Sequence, residues 1–197
     1  MLYLVRHGRT AHNAGRRLLG REDVPLDGLG VRQAEALGRL PYLRDARRVV
    51  TSPLGRARDT AERIGPPVSV DERWIEIDYG VFDGMRLEEA PELWKQWSAD
   101  LSYVPKGGES IAAMAARVRK ACDELWEEAA ADDVVVVSHV SPIKAAVAWA
   151  IGAGDETSWR MFVDVASVTS IGPGRSSGGQ VLPSLRSFNE THQRPSA

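Results

Sequence analysis

The chain alternates short apolar runs with longer segments in which apolar residues recur at helical spacing. Residues 2–5, 47–51, 68–70 and 133–137 are short runs centred on apolar side chains, and we predict that each forms a buried strand. The last of them contains four consecutive valines. A strand without alternation has both faces buried, so this run indicates a parallel sheet covered by helices on both sides.

The segments between these runs have the periodicity and the capping residues of helices. Asp27 can cap a helix that carries Leu29, Gln33, Leu37 and Leu40, and Ser110 can cap the longest helix of the chain. Further helices are expected over residues 54–64 and 142–151. Strands that alternate with helices indicate an α/β sheet protein.

The last third of the chain predicts two more strands, at residues 163–171 and 181–188. A loop rich in Gly and Ser is expected between them, at residues 172–179. Residues 190–197 are expected to form a frayed tail.

Residues 71–107 differ from their surroundings because they hold six of the 13 aromatic residues. Proline at position 91 suits the first turn of a helix, and short helices are expected around residues 86–90 and 91–98. We interpret the segment as an inserted helical flap within a single domain of residues 1–197. The alternative is a small aromatic core that has no role in ligand binding.

Composition places the chain among ordinary globular proteins. Of its 197 residues, 43% are hydrophobic and 26% charged, and the net charge of −2 argues against a nucleic-acid binder. The single cysteine, Cys122, excludes an internal disulfide and a cysteine-based zinc site. No apolar run has the length of a signal peptide or a membrane span, so we expect a cytoplasmic protein.

The cationic residues are distributed unevenly. The chain has 21 arginines and four lysines, and residues 1–21 contain five arginines and no acidic residue. Arginine offers planar, bidentate recognition of phosphate oxygens. This distribution indicates a small anionic ligand rather than a polyanion.

Polar residues follow three of the predicted strands at their carboxyl ends, where ligands bind in open α/β sheets. Arg6 and His7 end the first strand, the second leads into a helix that carries Arg56, and Ser138 and His139 end the valine strand. One histidine at a strand end is more often structural than functional. Two histidines with arginines at both sites favour an anion-binding or nucleophilic site.

The same residues resemble a known family. Residues 6–10 (RHGRT) resemble the RHG signature of the histidine phosphatase superfamily, the phosphoglycerate-mutase-like group. Further blocks follow in the family's order at Asn13, residues 20–26, 30–34, 51–61, 76–84, 107–110 and 137–139. The resemblance covers roughly residues 1–150. It implies a three-layer α/β sandwich with a mostly parallel central sheet, helices on both faces and the small flap over the site.

The resemblance implies roles for individual residues. His7 would be the nucleophile that accepts the phosphoryl group, and Glu76 would act first as the general acid and then as the base. The phosphate would be surrounded by Arg6, Arg56 and His139. Candidate substrate contacts are Asn13, Arg9, Gly20, Arg21 and Val140; for Arg9 and Arg21 a solvated role is equally consistent.

Elementary chemistry is compatible with these roles. The two arginines and a cationic His139 would neutralise a phosphate dianion, and burial or a neighbouring aromatic ring should raise the pKa of Glu76. His7 needs one unprotonated nitrogen, which Gly8 and the nearby backbone could ensure by binding the other. Ser141 follows His139 where the family often has glycine, and we expect it to cap the next helix.

Four interpretations remain open. The favoured one is a metal-independent phosphomonoester phosphatase without a cofactor. The others are a cofactor-dependent phosphoglycerate mutase, a catalytically silent phosphate-binding interaction protein, and a protein that binds a metal ion through His7, His139 and Glu76. The resemblance implies a longer chain for a mutase, and the arginines would repel a metal cation, so both of these are less favoured. The expected partner is a small-molecule phosphomonoester, with neither nucleic acid nor membrane, and a homodimer is left open.

Overall fold

Six strands form one mixed sheet in the computed structural model, which describes residues 1–65 and 67–192. In chain order the strands are β1 (Leu2–Arg6), β2 (Arg48–Thr51), β3 (Val68–Val70), β4 (Val134–Ser138), β5 (Ser167–Arg175) and β6 (Val181–Thr191). The order across the sheet is β3-β2-β4-β1-β5-β6. The first four run parallel, whereas β5 pairs antiparallel with both β1 and β6. The predicted, mostly parallel α/β sheet is confirmed.

Helices connect the strands and cover the sheet. They are α1 (Ala11–Ala14), α2 (Gly28–Leu37), α3 (Pro41–Arg44), α4 (Gly55–Glu62), α5 (Pro91–Ala99), α6 (Ile111–Ala131) and α7 (Val140–Ala150). Short 3-10 helices lie at Glu72–Trp74, Gly80–Phe82, Leu87–Glu89 and Asp155–Arg160. As predicted, Asp27 caps α2 and Ser110 caps α6; each side chain accepts a hydrogen bond from a backbone N–H three residues later.

The valine strand separates two hydrophobic cores. Val135 and Val137 face a core built with α2, α3 and α4, whereas Val134 and Val136 face one built with α5, α6 and α7. All four valines are fully buried. The expectation that both faces of this strand are covered is therefore confirmed, and the molecule has three layers.

Residues 71–107 pack against the sheet face that α6 covers. Trp74 and Trp97 are almost completely buried in the core on that side. Tyr79, Phe82 and Trp94 pack against the same core and remain partly exposed. The segment is thus anchored by aromatic packing, and its action as a flap stays a prediction.

The β5–β6 hairpin corrects the strand prediction. β5 begins at Ser167, later than predicted, and continues to Arg175, so the first half of the expected loop at residues 172–179 is strand. Pairing with β1 ends at Ile171, beyond which β5 has β6 as its partner. A strand with one paired side tolerates Pro173, because the missing N–H can face away from the ladder.

Other boundaries differ by smaller amounts. α7 begins at Val140, two residues before the predicted start, and α2 ends at Leu37 and does not reach Leu40. β6 extends to Thr191, so the start of the expected tail is strand, and residues 193–197 lie outside the described residues. Within the described ranges, none of the helices has the length and apolarity needed to cross a bilayer.

Candidate active site

The carboxyl ends of β1, β2 and β4 bring the predicted site residues together. The His7 N–H donates to the Ser138 carbonyl at 3.0 Å, and the Ser52 N–H donates to the Val137 carbonyl at 3.0 Å. The rings of His7 and His139 therefore lie next to each other, with centroids 5.0 Å apart. Neighbouring parallel strands place their ends at one edge of the sheet, so two residues far apart in sequence share one site.

Hydrogen bonds at both ring nitrogens define the tautomer of His7. Nδ1 lies 2.7 Å from the carbonyl oxygen of Gly8 and must donate to it. The Arg56 Nε donates to Nε2 at 3.3 Å, so Nε2 carries the lone pair. Burial, reinforced by Arg56 and Arg6, lowers the pKa of His7 well below its ordinary value. The buried ring is therefore neutral, with Nε2 as its nucleophilic atom.

Two arginines, the buried Arg56 and the half-buried Arg6, place positive charge beside this nitrogen. Arg56 is fully buried, and its Nη atoms donate to the carbonyls of Glu22 and Gly20 at 2.8 and 2.7 Å. Arg6 donates from Nη1 to the Val163 carbonyl at 2.7 Å, while its buried Nε has no partner among the described residues. Burial lowers the pKa of Arg6 to about 10, which leaves it charged at neutral pH.

His139 is completely buried, and its ring is neutral at neutral pH. Its Nε2 lies 2.7 Å from the Ser52 hydroxyl oxygen, and its Nδ1 has no hydrogen-bond partner in the described part of the chain. Burial, together with the nearby Arg56, lowers its pKa well below the ordinary value. The cationic His139 that the sequence predicted in contact with a phosphate dianion therefore stays a prediction.

Glu76 lies at the same edge with its carboxylate held by backbone donors. Oε1 accepts hydrogen bonds from the N–H of Ile77 at 2.8 Å and from that of Ser141 at 3.2 Å. Burial raises the pKa of this carboxyl group, as predicted, although these bonds and the arginines oppose the shift. The expected capping role of Ser141 is wrong, because His139 occupies the N-cap position and the backbone of Ser141 serves Glu76.

Arg117 on α6 holds the backbone that carries Glu76. Its Nη1 donates to the carbonyls of Arg73 and Ile75 at 2.7 Å, and its Nη2 donates to the Glu76 carbonyl at 3.3 Å. Glu109 accepts two bonds of 2.8 Å from the same guanidinium. Sequence reasoning missed this contact, because the bonded residues are 41 to 44 positions apart.

A cavity of about 630 Å³ opens above His7 and Glu76. Arg9, Asn13 and Val140, all predicted substrate contacts, contribute to its lining. The Arg9 guanidinium also donates to Asp27 at 2.8 Å, and the Asn13 side-chain oxygen accepts a hydrogen bond from the Thr10 N–H at 3.0 Å. Both side chains therefore already have structural partners, and their contact with substrate stays a prediction.

Gly20 and Arg21 lie outside the cavity lining. The Gly20 carbonyl orients Arg56, so this residue supports the site through its backbone. Arg21 forms ion pairs with Asp78 and Glu109 at 3.5 and 3.2 Å. The structure thus brings five predicted residues to one point (Arg6, His7, Arg56, Glu76 and His139) and engages Arg21 elsewhere.

Gly8 is required for a reason the sequence did not reveal. A Cβ at this position would collide with the carbonyl oxygen of Gly30. A Cβ at Gly30 would in turn collide with the Arg9 carbonyl. The two glycines permit close packing of α2 on the loop after β1, which holds His7 in place.

Several lining residues carried little or no signal in the sequence. Ser52 lies outside the lining and contacts His139; it follows β2 directly, so its position at a strand end could have indicated it. Lys144 and Ser141 enter the cavity on the first turns of α7. Trp159 and Phe162 come from a segment with no periodicity, and only the fold brings them to the cavity.

A family model described as "Histidine phosphatase superfamily (branch 1)" matches residues 2–184. The match covers nearly the whole chain and includes both strand-end histidines and both arginines of the site. The chain belongs to this superfamily.

Three curated relatives show what kinds of protein resemble the chain. A bifunctional protein of Mycobacterium tuberculosis is 38% identical over 177 residues, which is 85% of this chain and 49% of the relative. The chain therefore spans about half the length of the first curated relatives it matches. A glucosyl-3-phosphoglycerate phosphatase of Mycolicibacterium vanbaalenii is 37% identical over 166 residues, covering 77% of this chain and 74% of the relative. A probable phosphoglycerate mutase of Yersinia enterocolitica is 33% identical over 147 residues, covering 70% and 68%.

The fold has close counterparts among solved structures. A mycobacterial glucosyl-3-phosphoglycerate phosphatase in complex with VO3 superposes with a TM-score of 0.82 at 30% identity. The match covers 96% of this chain and 99% of that one. The superfamily and the named relatives thus comprise phosphatases and a probable phosphoglycerate mutase.

Proposed function

We propose that the chain is a metal-independent phosphomonoester hydrolase that works through a phosphohistidine intermediate on a small anionic substrate. The observation that carries the proposal is the pair of hydrogen bonds on His7. The Gly8 carbonyl holds the proton on Nδ1, so the lone pair of Nε2 is available beside Arg56 and next to the cavity. A neutral imidazole in this tautomer is ready to attack phosphorus.

Binding of the phosphate uses the charges around this nitrogen. Arg56 supplies a buried cation and Arg6 a half-buried one. The buried Arg6 Nε and His139 Nδ1 have no partner among the described residues, so a ligand oxygen can satisfy them. A bound dianion stabilises the protonated form of His139, which then adds a third positive charge. Stabilisation by fixed charges and accurate positioning supply most of the catalysis in phosphoryl transfer.

The reaction proceeds in two balanced steps. The lone pair of His7 Nε2 forms an N–P bond while the ester P–O bond breaks, and protonated Glu76 gives its proton to the departing alkoxide. Water then attacks the phosphorus of phospho-His7. The Glu76 carboxylate takes the proton of that water, the N–P bond breaks, and inorganic phosphate leaves. The raised pKa of Glu76 supports its role in the first step.

A mutase is the second candidate, because one relative is named a probable phosphoglycerate mutase. A mutase must protect its phosphohistidine from water, whereas here the cavity reaches exposed side chains such as Phe162, which is 71% exposed. That opening supports hydrolysis. Repulsion by Arg6 and Arg56 argues against a metal ion beside His7, and a nucleophile together with an acid argues against a silent binding protein.

The test is release of inorganic phosphate from a panel of phosphomonoesters in excess chelator, together with trapping of the phosphoenzyme. We expect turnover, an acid-labile phosphoenzyme, and a loss of more than about a thousandfold in His7→Asn. The matched control is His192→Gln, since His192 is exposed and contacts Tyr42 rather than the site.

Three results would contradict the proposal. Interconversion of phosphoglycerates that depends on 2,3-bisphosphoglycerate, with little phosphate released, would identify a mutase. Loss of activity in chelator would identify a metal enzyme. Binding of phosphate esters without turnover of any of them would identify a silent binding protein.

A further inference from the structure

The cavity has one face built from four aromatic rings, Tyr79, Trp94, Trp97 and Trp159, which we call the aromatic wall. The ring centroids of Tyr79 and Trp97 are 5.8 Å apart, those of Trp97 and Trp94 are 6.1 Å apart, and those of Trp94 and Trp159 are 6.4 Å apart. Tyr79 is close enough to Glu76 for the carboxylate to contribute to its raised pKa. The wall thus extends from the catalytic acid to the mouth of the cavity.

The two central tryptophans present carbon rather than hydrogen-bonding groups to the cavity. The indole N–H of Trp94 donates to the Leu87 carbonyl at 3.1 Å, and that of Trp97 donates to the Tyr103 carbonyl at 3.0 Å. Neither N–H is available to a hydroxyl group of a ligand. A sugar or another polyol against this wall would lose bonds to water without replacing them.

The mouth of the cavity is also apolar. Phe162 is 71% exposed, Trp159 is 43% exposed and Leu87 is 38% exposed, and all three line the cavity. Rings that merely completed a core would be covered by other side chains. Exposed apolar groups that continue the wall to the surface are typical of a ligand site.

We propose that the alcohol part of the substrate is apolar or aromatic and that it binds along the aromatic wall while the phosphate lies between His7, Arg6 and Arg56. The inference rests on the proposed function, because it places the phosphate at the same residues. The wall contacts the alcohol equally before and during phosphoryl transfer, so it contributes to KM more than to kcat. This specificity differs from that of enzymes whose substrates are polyol phosphates.

The first test compares esters that share a primary alkoxide leaving group. Hexyl phosphate and 3-phenylpropyl phosphate should exceed sorbitol 6-phosphate in kcat/KM by at least about tenfold, since each buried methylene contributes about fourfold. Equal or better use of sorbitol 6-phosphate would overturn the inference and leave the hydrolase proposal intact.

The second test removes apolar area at the mouth, where folding is least affected. Trp159→Ser and Phe162→Ser should each raise the KM for 3-phenylpropyl phosphate about fivefold and change that for sorbitol 6-phosphate less than about twofold. The control is Val104→Ser, because Val104 is 57% exposed, belongs to the segment that carries Trp94 and Trp97, and lies outside the cavity lining. Equal effects on both esters would show that the wall has no part in specificity.

A binding measurement separates this inference from the proposed function. Quenching of tryptophan fluorescence by 3-phenylpropylphosphonate, which cannot be hydrolysed, reports occupancy of the wall in the native protein. We expect the Phe162→Ser variant to weaken this binding about fivefold. If the phosphonate binds while no ester is hydrolysed, the proposed function fails and the apolar site stands; if it does not bind, the apolar site is refuted.

Discussion

His7 depends on its neighbours for its chemical state. Its Nδ1 is held by the carbonyl of the next residue, and its Nε2 faces a buried arginine that arrives from another strand end. The first contact is local, so the sequence could suggest it. The second contact depends on the sheet, because Arg56 lies on α4 and the sheet brings the end of β2 close to the end of β1. Glu76 also reaches the site only through the tertiary structure. The residue identities and the raised pKa of Glu76 were therefore predictable, whereas the partner of Nε2 was not.

Replacing the acid should affect substrates according to their need for a proton. Glu76→Gln should lower kcat for alkyl phosphates by about 10² to 10⁴, because alkoxides are poor leaving groups. The loss for aryl phosphates should be much smaller, since phenolates leave without protonation. Steady-state kinetics on matched alkyl and aryl esters measures the difference, and equal losses on both would rule out Glu76 as the acid.

At the scale of elements, α6 does more than cover the sheet. Ser110 caps its start, and one turn of it carries Arg117, which holds the backbone of residues 73–76. The helix and its cap were predictable from periodicity and from one polar residue. Arg117 contacts the backbone only because the segment after β3 lies beside α6. That placement depends on the tertiary structure and has no local signal in the sequence.

Arg117→Met should slow the step that needs Glu76. The variant removes the bonds to the Arg73 and Ile75 carbonyls, and a small displacement of an acid can cost about tenfold to a hundredfold in kcat. We expect the loss on alkyl phosphates, with a smaller change in KM and little effect on aryl phosphates.

The matched control for this prediction is Arg119→Met on the same helix. Arg119 pairs with Asp155 at 2.6 Å and does not hold the Glu76 backbone. This variant should lose stability without the selective loss on alkyl phosphates. If both variants slow both ester classes equally, Arg117 stabilises the fold and does not position the acid.

At the scale of the whole molecule, burial of the site makes stability depend on pH. His7 and His139 are neutral when folded because burial and the arginines lower their pKa, whereas the unfolded chain protonates them near 6.5. Above that pH both states hold these histidines neutral, so they do not make the free energy of unfolding depend on pH. Below it the unfolded state gains protons, so the free energy of unfolding falls. Glu76 has the opposite sign, because its pKa is raised in the folded state.

We therefore expect the free energy of unfolding to decrease as the pH falls below 6.5, by up to about 1.4 kcal/mol per pH unit for each histidine. His7→Gln should make the decrease shallower, and Glu76→Gln should make it steeper. Denaturant titrations in phosphate-free buffer measure both slopes. A stability that stays constant between pH 7 and pH 5 in the native protein and both variants would contradict buried neutral histidines.

The arginines of the basic stretch at residues 1–21 have different roles in the structure. Arg6 belongs to the site, Arg9 and Arg21 have acidic partners, and the exposed Arg17 donates to the Gly84 carbonyl. Arg16 lines the cavity with a positive φ of 53°. Arg9 and Arg21 therefore have acidic partners that lie outside this stretch.

By itself, the sequence determined most of the elements and the residues that meet at the candidate site. Local signals suffice for these: a valine run for β4, capping side chains for α2 and α6, and polar residues at the ends of short strands. The tertiary structure decided which groups meet. The neutral state of His139, the backbone support of Glu76 by Arg117 and the aromatic wall all depend on contacts between distant segments, and no local pattern encodes such contacts, because they form only when the sheet and its covering layers pack together.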